Sequence, residues 1–265
     1  MIASESRSAE LAVVPLSETG QAEQAYPCMV EVPVPWSEAL QVCRAWIARN
    51  LGTLIEGLHL QNGAENVIGH VYYASSERAL VPYRIEDGVA VVYCEWIQRR
   101  HQKKVYARLL SEALIRHLDD EGYKGILVIA TDDEQYMHYT HFVRRGFRLL
   151  RQAGSMRLMY YPLRQESVDV QPLELRIAPR FRHPTEVIVF TGGLCPYEIS
   201  TSLSALHVAR EFGDRVVVKE VTATVENLHT YGVISGVFIN GRRILPGGVP
   251  EEAIRLAIHD ELGEI

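Results

Sequence analysis

Five of the six residues from Arg99 to Lys104 are basic, and the cluster stands between two patterned stretches. Ahead of it, Val89-Ala90-Val91-Val92-Tyr93-Cys94-Glu95-Trp96-Ile97 is apolar, β-branched and aromatic, with no polar alternation before Glu95. That is the pattern of a strand covered on both faces. Behind it, Leu109, Leu110, Ala113, Leu114, His117 and Leu118 form a stripe of helical period, with Arg108, Glu112 and Arg116 on the other side. A strand that feeds basic side chains and unpaired backbone N–H groups into a helix N-terminus makes a phosphate site, because those donors and the helix dipole both favour an anion. On composition alone the same cluster also reads as a solvated basic turn.

Other residues have the chemistry for proton transfer or thiol reactions. Strand alternation puts Cys94 and Trp96 on one face and Tyr93 and Glu95 on the other. Glu95 then reads either as a carboxylate available for proton transfer or as one neutralised by Arg99 or Arg100, and Cys94 as a small core residue. His138 and His141 titrate near neutral pH and suit acid–base work or a helix surface. Asp132, Asp133 and Glu134 suit either a cationic amine or the dipole of a helix start. In Cys195-Pro196-Tyr197-Glu198, a thiol precedes a helix start and Glu198 stands where a resolving cysteine would be, which excludes a two-cysteine disulfide cycle there. The helix N-terminus lowers the thiol pKa and Glu198 opposes it, leaving open a reactive thiolate or an inert packed thiol.

The elements that must hold these groups follow from periodicity. Residues 36–51 read as a helix closed by Gly52, and Thr53–Leu60 and Val67–Ala74 as an antiparallel strand pair around Gln61-Asn62-Gly63. After the stripe helix, Ile126–Ala130 is a second buried strand, parallel to the first. A right-handed βαβ unit results, with the basic turn at the carboxyl edge of the sheet. A helix from the acidic start through Arg145, stopped by Gly146-Phe147, and a strand over Met156–Tyr161 close this domain. Residues 163–184 read as a linker. From 185 the order is β-α-β-α-β-β-α, that of a small thioredoxin-like domain, with Ser235-Gly236 where that fold keeps a proline opposite its thiol. The expected division is an arm over 1–29, a first domain over 30–162, the linker, and a second domain over 185–265.

At 265 residues, 47% of them apolar, the chain is long enough for two domains with real cores. No apolar run reaches the roughly 18 residues needed to span a membrane. A net charge of −6 argues against a general nucleic-acid binder and makes the basic turn a local exception whose partner is a small anion. Met1 to Arg7 lack a secretory pattern, so the expected location is the cytoplasm. Cys28, Cys43, Cys94 and Cys195 have no metal-ligand spacing, so no metal site and no disulfide framework is expected.

On the strand ending at Ile97, the turn and helix from Gln102 to Leu110, and Phe142 followed by Gly146-Phe147, residues 30–162 resemble the GNAT acyl-CoA N-acetyltransferases. The family's pyrophosphate signature falls on Gln102-Lys103-Lys104-Val105-Tyr106-Ala107, with Val105 where the family has its first glycine. With Phe190-Thr191-Gly192-Gly193-Leu194-Cys195-Pro196 and Phe238-Ile239-Asn240-Gly241 added, the layout is similar to the YoaP-like GNAT proteins. The resemblance implies an α/β fold, with a GNAT-like mixed sheet and flanking helices followed by the thioredoxin-like domain. It implies acetyl-CoA or another acyl-CoA held by Ile97 and residues 102–107, and a small amine or amino-acid-like acceptor. For that transfer Glu95 is the candidate base, and, with Phe142 where the family often has its proton-donating tyrosine, Tyr139 reads either as the donor facing the same cleft or as an amphipathic core residue. The alternative is a protein of this fold that no longer transfers acetyl groups and uses the cleft and Cys195 on a thiol-containing or activated small molecule.

Overall fold

The computed structural model describes residues 11–17, 19–29, 36–63, 66–134, 136–180, 183–243 and 247–264. In chain order its elements are β1 (Leu11–Pro15), α1 (Ser37–Asn50), β2 (Glu56–Asn62), β3 (Val67–Ser75), β4 (Tyr83–Ile85), β5 (Val89–Ile97), α2 (Tyr106–Asp120), β6 (Gly125–Thr131) and α3 (Tyr139–Val143). There follow β7 (Arg148–Ala153), β8 (Met156–Pro162), β9 (Val170–Pro172), β10 (Thr185–Thr191), α4 (Pro196–Glu211), β11 (Val216–Thr222), α5 (Val225–Tyr231), β12 (Val237–Ile239), β13 (Arg242–Arg243) and α6 (Glu251–Glu261). The N-terminal residues read for a secretory pattern lie outside the described residues. Among the described residues, no helix is long and apolar enough to cross a membrane.

The chain divides into two compact units that interleave in sequence: Met1–Val32, Leu51–Glu77 and Asp87–Val168 form the first, and Pro33–Asn50, Arg78–Glu86 and Asp169–Ile265 the second. These units differ from the consecutive scheme of 30–162, 163–184 and 185–265 at two places. Helix α1 belongs to the second unit because its buried face packs there, and Gly193 lies so close to Trp46 that a Cβ would sit 2.1 Å from the indole Cγ. The stretch expected as a linker contains β9, which pairs with β4 in a two-stranded sheet. Gly193→Ala is expected to destabilise the second unit by about 1–3 kcal/mol, the scale of overpacking in a closed core, read from a urea melt.

The first unit is a mixed seven-stranded sheet in the order β1-β2-β3-β5-β6-β8-β7. Strands β5 and β6 are parallel, as the two unalternated apolar runs predict, and the other described neighbours are antiparallel. Helix α2 lays Leu110, Leu114 and Leu118 against Ile68, Val71, Val92 and Val128 in one core, each such buried side chain being worth roughly 1.5–3 kcal/mol. Strand β7 has no alternation to announce it, since all six of its residues are exposed.

Two features of β5 open the sheet at its carboxyl end. Its pairing with β6 covers only Val89–Val92 against Gly125–Val128, although β5 runs on to Ile97 and β6 to Thr131. On its other side the register with β3 shifts, with Val92 opposite Tyr73 and Cys94 opposite Tyr72, so Tyr93 is an extra residue. Such a bulge bends its strand, and beyond it β5 no longer pairs with β6. Gly69, opposite Ile97, permits the close approach of β3 at this point, because a Cβ there would meet Ile97 Cδ1 at 2.3 Å.

The second unit holds a four-stranded sheet in the order β11-β10-β12-β13, with β10 and β11 parallel and the other pairs antiparallel. One face buries Val187, Val189, Ala205, Val208, Ile254 and Ile258, and the other Ile188, Phe190, Val221 and Phe238. The β-α-β-α-β-β-α order expected from periodicity is the order found.

Candidate functional site

Where β5 leaves β6, the first unit opens a cleft of about 690 Å³. Its walls come from the end of β5 (Glu95, Trp96, Ile97), the basic turn and α2 start (Arg99, Lys103, Lys104, Ala107), and the α3 region (His138, His141, Phe142, Arg145). Arg99, His101, Lys103 and Lys104 of the basic cluster line this cleft, and Arg99, Lys103 and Lys104 are also exposed to solvent. Arg100 is the exception: its Nε donates to Gln98 Oε1 at 3.1 Å and it is not part of the wall.

The turn is built to leave donors unused. Gln102 Nε2 donates to Ile97 O at 2.9 Å, tying the turn to the strand end. Lys103 sits at φ 61°, a left-handed conformation uncommon outside glycine and asparagine. Helix α2 begins after Val105 without a side-chain cap. Among the described residues, no group accepts from the backbone N–H of residues 103–107. Val105, at φ −67° and 53% exposed, needs no glycine conformation and points away from any core. Of the residues expected to hold the ligand, Ile97, Gln102, Lys103, Lys104 and Ala107 line the cleft, whereas Tyr106 packs on the core beneath it.

Glu95 lies in the wall, but its partner is not Arg99 or Arg100 as the sequence suggests. Arg145 Nη1 donates to both carboxylate oxygens, at 2.6 and 2.8 Å, from 50 residues away. Burial raises the Glu95 carboxyl above its ordinary range, and the Arg145 guanidinium works in the opposite direction. The bulge at Tyr93 decides which way Glu95 points. Strict alternation would set Val92 and Glu95 on opposite faces, but their β3 partners Tyr73 and Val71 share a face, so Glu95 falls on the side of the core strand residues.

The α3 region corrects two expectations. Among the described residues, no helix runs from Asp132 through Arg145: 132–134 and 136–138 are non-helical, with the Thr131 hydroxyl bonded to the Tyr136 carbonyl and Asp132 paired with Arg157, and the helix covers Tyr139–Val143. Asp132 is thus tied to Arg157 and the Asp133 backbone to the Thr131 hydroxyl rather than capping a helix, whereas Glu134 stands in the cleft wall. Tyr139 does not line the cleft. It packs on the core with Arg157 over its ring at 5.7 Å, which removes it from the position of a proton donor there. His138 and His141 do line it, and the His141 imidazole is held below its usual pKa by burial and by Arg145, His138 and Arg144. A neutral His141 at pH 7 is a proton acceptor that sequence spacing alone did not separate from a surface histidine.

Cys195 belongs to the second unit and caps the start of α4. Of the two readings left open by the sequence, the inert thiol is the one favoured: burial, with the Glu198 carboxylate adding, pushes the thiol up to about 12. The helix-start N–H groups of Glu198 and Tyr197 act the other way and are outweighed. Alkylation of Cys195 by iodoacetamide, followed by peptide mass spectrometry, is therefore expected to show no inflection below pH 9. Among the described residues, no group of three or more His, Cys, Asp or Glu stands close enough to hold a metal ion.

No protein-family model matches the sequence, and no curated protein matches it. Among the solved structures it resembles are several N-acetyltransferases. The ribosomal-protein-S18-alanine N-acetyltransferase from Escherichia coli is 15% identical, with a TM-score of 0.44, over 60% of this chain and 97% of that one. A GNAT family N-acetyltransferase from Escherichia coli in complex with CoA is 14% identical, with a TM-score of 0.43, over 58% and 82%. The PaiA N-acetyltransferase from Thermoplasma acidophilum in complex with coenzyme A is 11% identical, with a TM-score of 0.39, over 58% and 99%. At these identities and TM-scores the likeness carries no activity, substrate or ligand across to this chain.

Proposed function

We propose that this protein is an acyl-CoA-dependent N-acyltransferase, taking acetyl-CoA or another acyl-CoA as donor and a small amine as acceptor. The observation that carries the reading is the parting of β5 from β6 beside a turn with unused backbone donors, which opens a basic cleft against a buried carboxylate. A pyrophosphate suits the N–H groups of residues 103–107 with Lys103 and Lys104 beside them. The fit holds at Val105, whose side chain is exposed and whose backbone is unstrained. The donor supplies an activated acyl thioester: the amine nitrogen bonds to its carbonyl carbon, the carbon–sulfur bond breaks, and the thiolate leaves. On this chain's side, Glu95 takes the proton of the acceptor ammonium, directly or through water, and His141 is a second group able to accept one. Backbone N–H groups of β5 beyond Val92, turned away from β6, polarise the carbonyl.

Phe142 in the cleft wall offers no proton, which favours one second reading: a cleft that binds CoA without turning it over. We also read the second unit as thioredoxin-like, supported by its element order and by a sheet in which the first strand lies beside the second and third. Its thiol, raised as it is, supports a binding or packing role.

Calorimetry with acetyl-CoA tests the donor reading, and release of free thiol in the presence of amines separates transfer from binding alone. Lys103→Ala and Lys104→Ala are each expected to weaken CoA binding by about 1–2 kcal/mol, the scale of a lost charge-assisted hydrogen bond. Unchanged affinity in both would return the basic turn to a solvated role.

A further inference from the structure

Arg145 holds Glu95 through a single nitrogen. Nη1 serves both carboxylate oxygens, while Nε and Nη2 make no hydrogen bond to any described residue. Neither of those two nitrogens is sealed from solvent, although the side chain as a whole is only 17% exposed. A guanidinium is a planar fork of donors, and the edge left open here is the one that meets a carboxylate with two parallel bonds. In the wall beside it stands the Glu95 carboxylate, which offers only acceptors. The two charges sit within 2.8 Å of each other, so a ligand that satisfies both must itself carry a carboxylate and an ammonium close together. In an α-amino acid the two groups share one carbon. The phosphate-directed donors of residues 103–107 belong to the turn and α2, so this pair is left for a second ligand.

We infer that the Glu95–Arg145 pair is the recognition site for an α-amino acid, its carboxylate on the Nε–Nη2 edge of Arg145 and its ammonium against Glu95. The carboxylate need not displace Glu95, because the edge it takes is the unused one. The ammonium is then beside the group that receives its proton. This assignment rests on the acyl-transfer reading only in making the amino acid the acceptor; binding itself does not need the donor.

The test is a binding panel on the full chain by calorimetry, with and without CoA, using each of the twenty protein α-amino acids. For the tightest of them, the amine lacking the carboxylate and the acid lacking the amine are then compared. At least one amino acid is expected to bind, and both truncated compounds to bind about tenfold more weakly or worse, since each forgoes one of the two charge-assisted contacts. Arg145→Lys keeps the charge opposite Glu95 but loses the fork. It is expected to remove the preference for the amino acid over the amine, while circular dichroism and the melting temperature report that the fold is kept. The inference is overturned if no amino acid binds at low millimolar concentration while CoA does, or if the truncated amine binds as well as its parent. Binding of an amino acid with no binding of CoA would instead sink the donor reading and leave the amino-acid site standing.

Discussion

Acidification from pH 7 to pH 4 is expected to remove about 3 kcal/mol of stability through His59 alone, with His70 adding to the loss. Both histidines lie inside the first unit, 1% and 0% exposed. The phenol oxygen of Tyr72 accepts from the Tyr26 N–H at 3.2 Å and lies 3.0 Å from His59 Nε2. His70 stacks on the Tyr72 ring at 4.3 Å, and neither of its ring nitrogens has a partner among the described residues. Burial lowers His59 from 6.5 to about 4 and holds His70 well below its ordinary value, the neighbouring His59 contributing. The unfolded chain binds a proton at each site near pH 6.5 and the folded chain does not, so stability present above that pH is lost as the pH falls toward 4. Urea melts between pH 7.5 and 4.5 measure the slope. His70→Phe, which replaces an unpartnered imidazole by an apolar ring, is expected to flatten it. A slope identical to wild type in both His70→Phe and His59→Gln would assign the acid sensitivity to carboxylates elsewhere.

Arg145→Ala is expected to cost about 3–5 kcal/mol at pH 7, because it strands a carboxylate whose side chain is only 8% exposed. The sign with pH identifies the cause. Burial already raises the Glu95 carboxyl, and without the guanidinium nothing opposes that rise. The folded variant then holds a proton that the unfolded chain releases above about pH 4.3, so the penalty grows with rising pH and shrinks on acidification. Adding Glu95→Gln to Arg145→Ala removes the charge and should recover most of the loss, and the double-mutant cycle reads the coupling directly. A penalty that does not change between pH 5 and pH 8 would point to lost packing of Arg145 over the Phe142 ring, 5.7 Å from its centre, instead of to the stranded charge.

The central frame was legible in the chain before any packing was known. Unalternated apolar runs at 89–97 and 126–130 with an amphipathic stripe between them leave little but a parallel pair crossed by a helix, and the structure has β5, α2 and β6. The basic residues at the mouth of that unit were equally legible, because a strand end, a short turn and a helix start are adjacent in the chain whatever the rest does. Tertiary pairing decided the remainder. The bulge at Tyr93 depends on register with β3, a choice made by side chains 20 or so residues away; the partner of Glu95 comes from beyond α3, and two nearer arginines were equally good candidates by spacing. Helix α1 carries the same apolar stripe in either unit, and only the approach of Gly193 to Trp46 assigns it. The thiol of Cys195 stands at a helix start on both readings, yet its pKa follows burial, and the depth at which folding places a side chain is a property of the packed chain rather than of its neighbours in sequence.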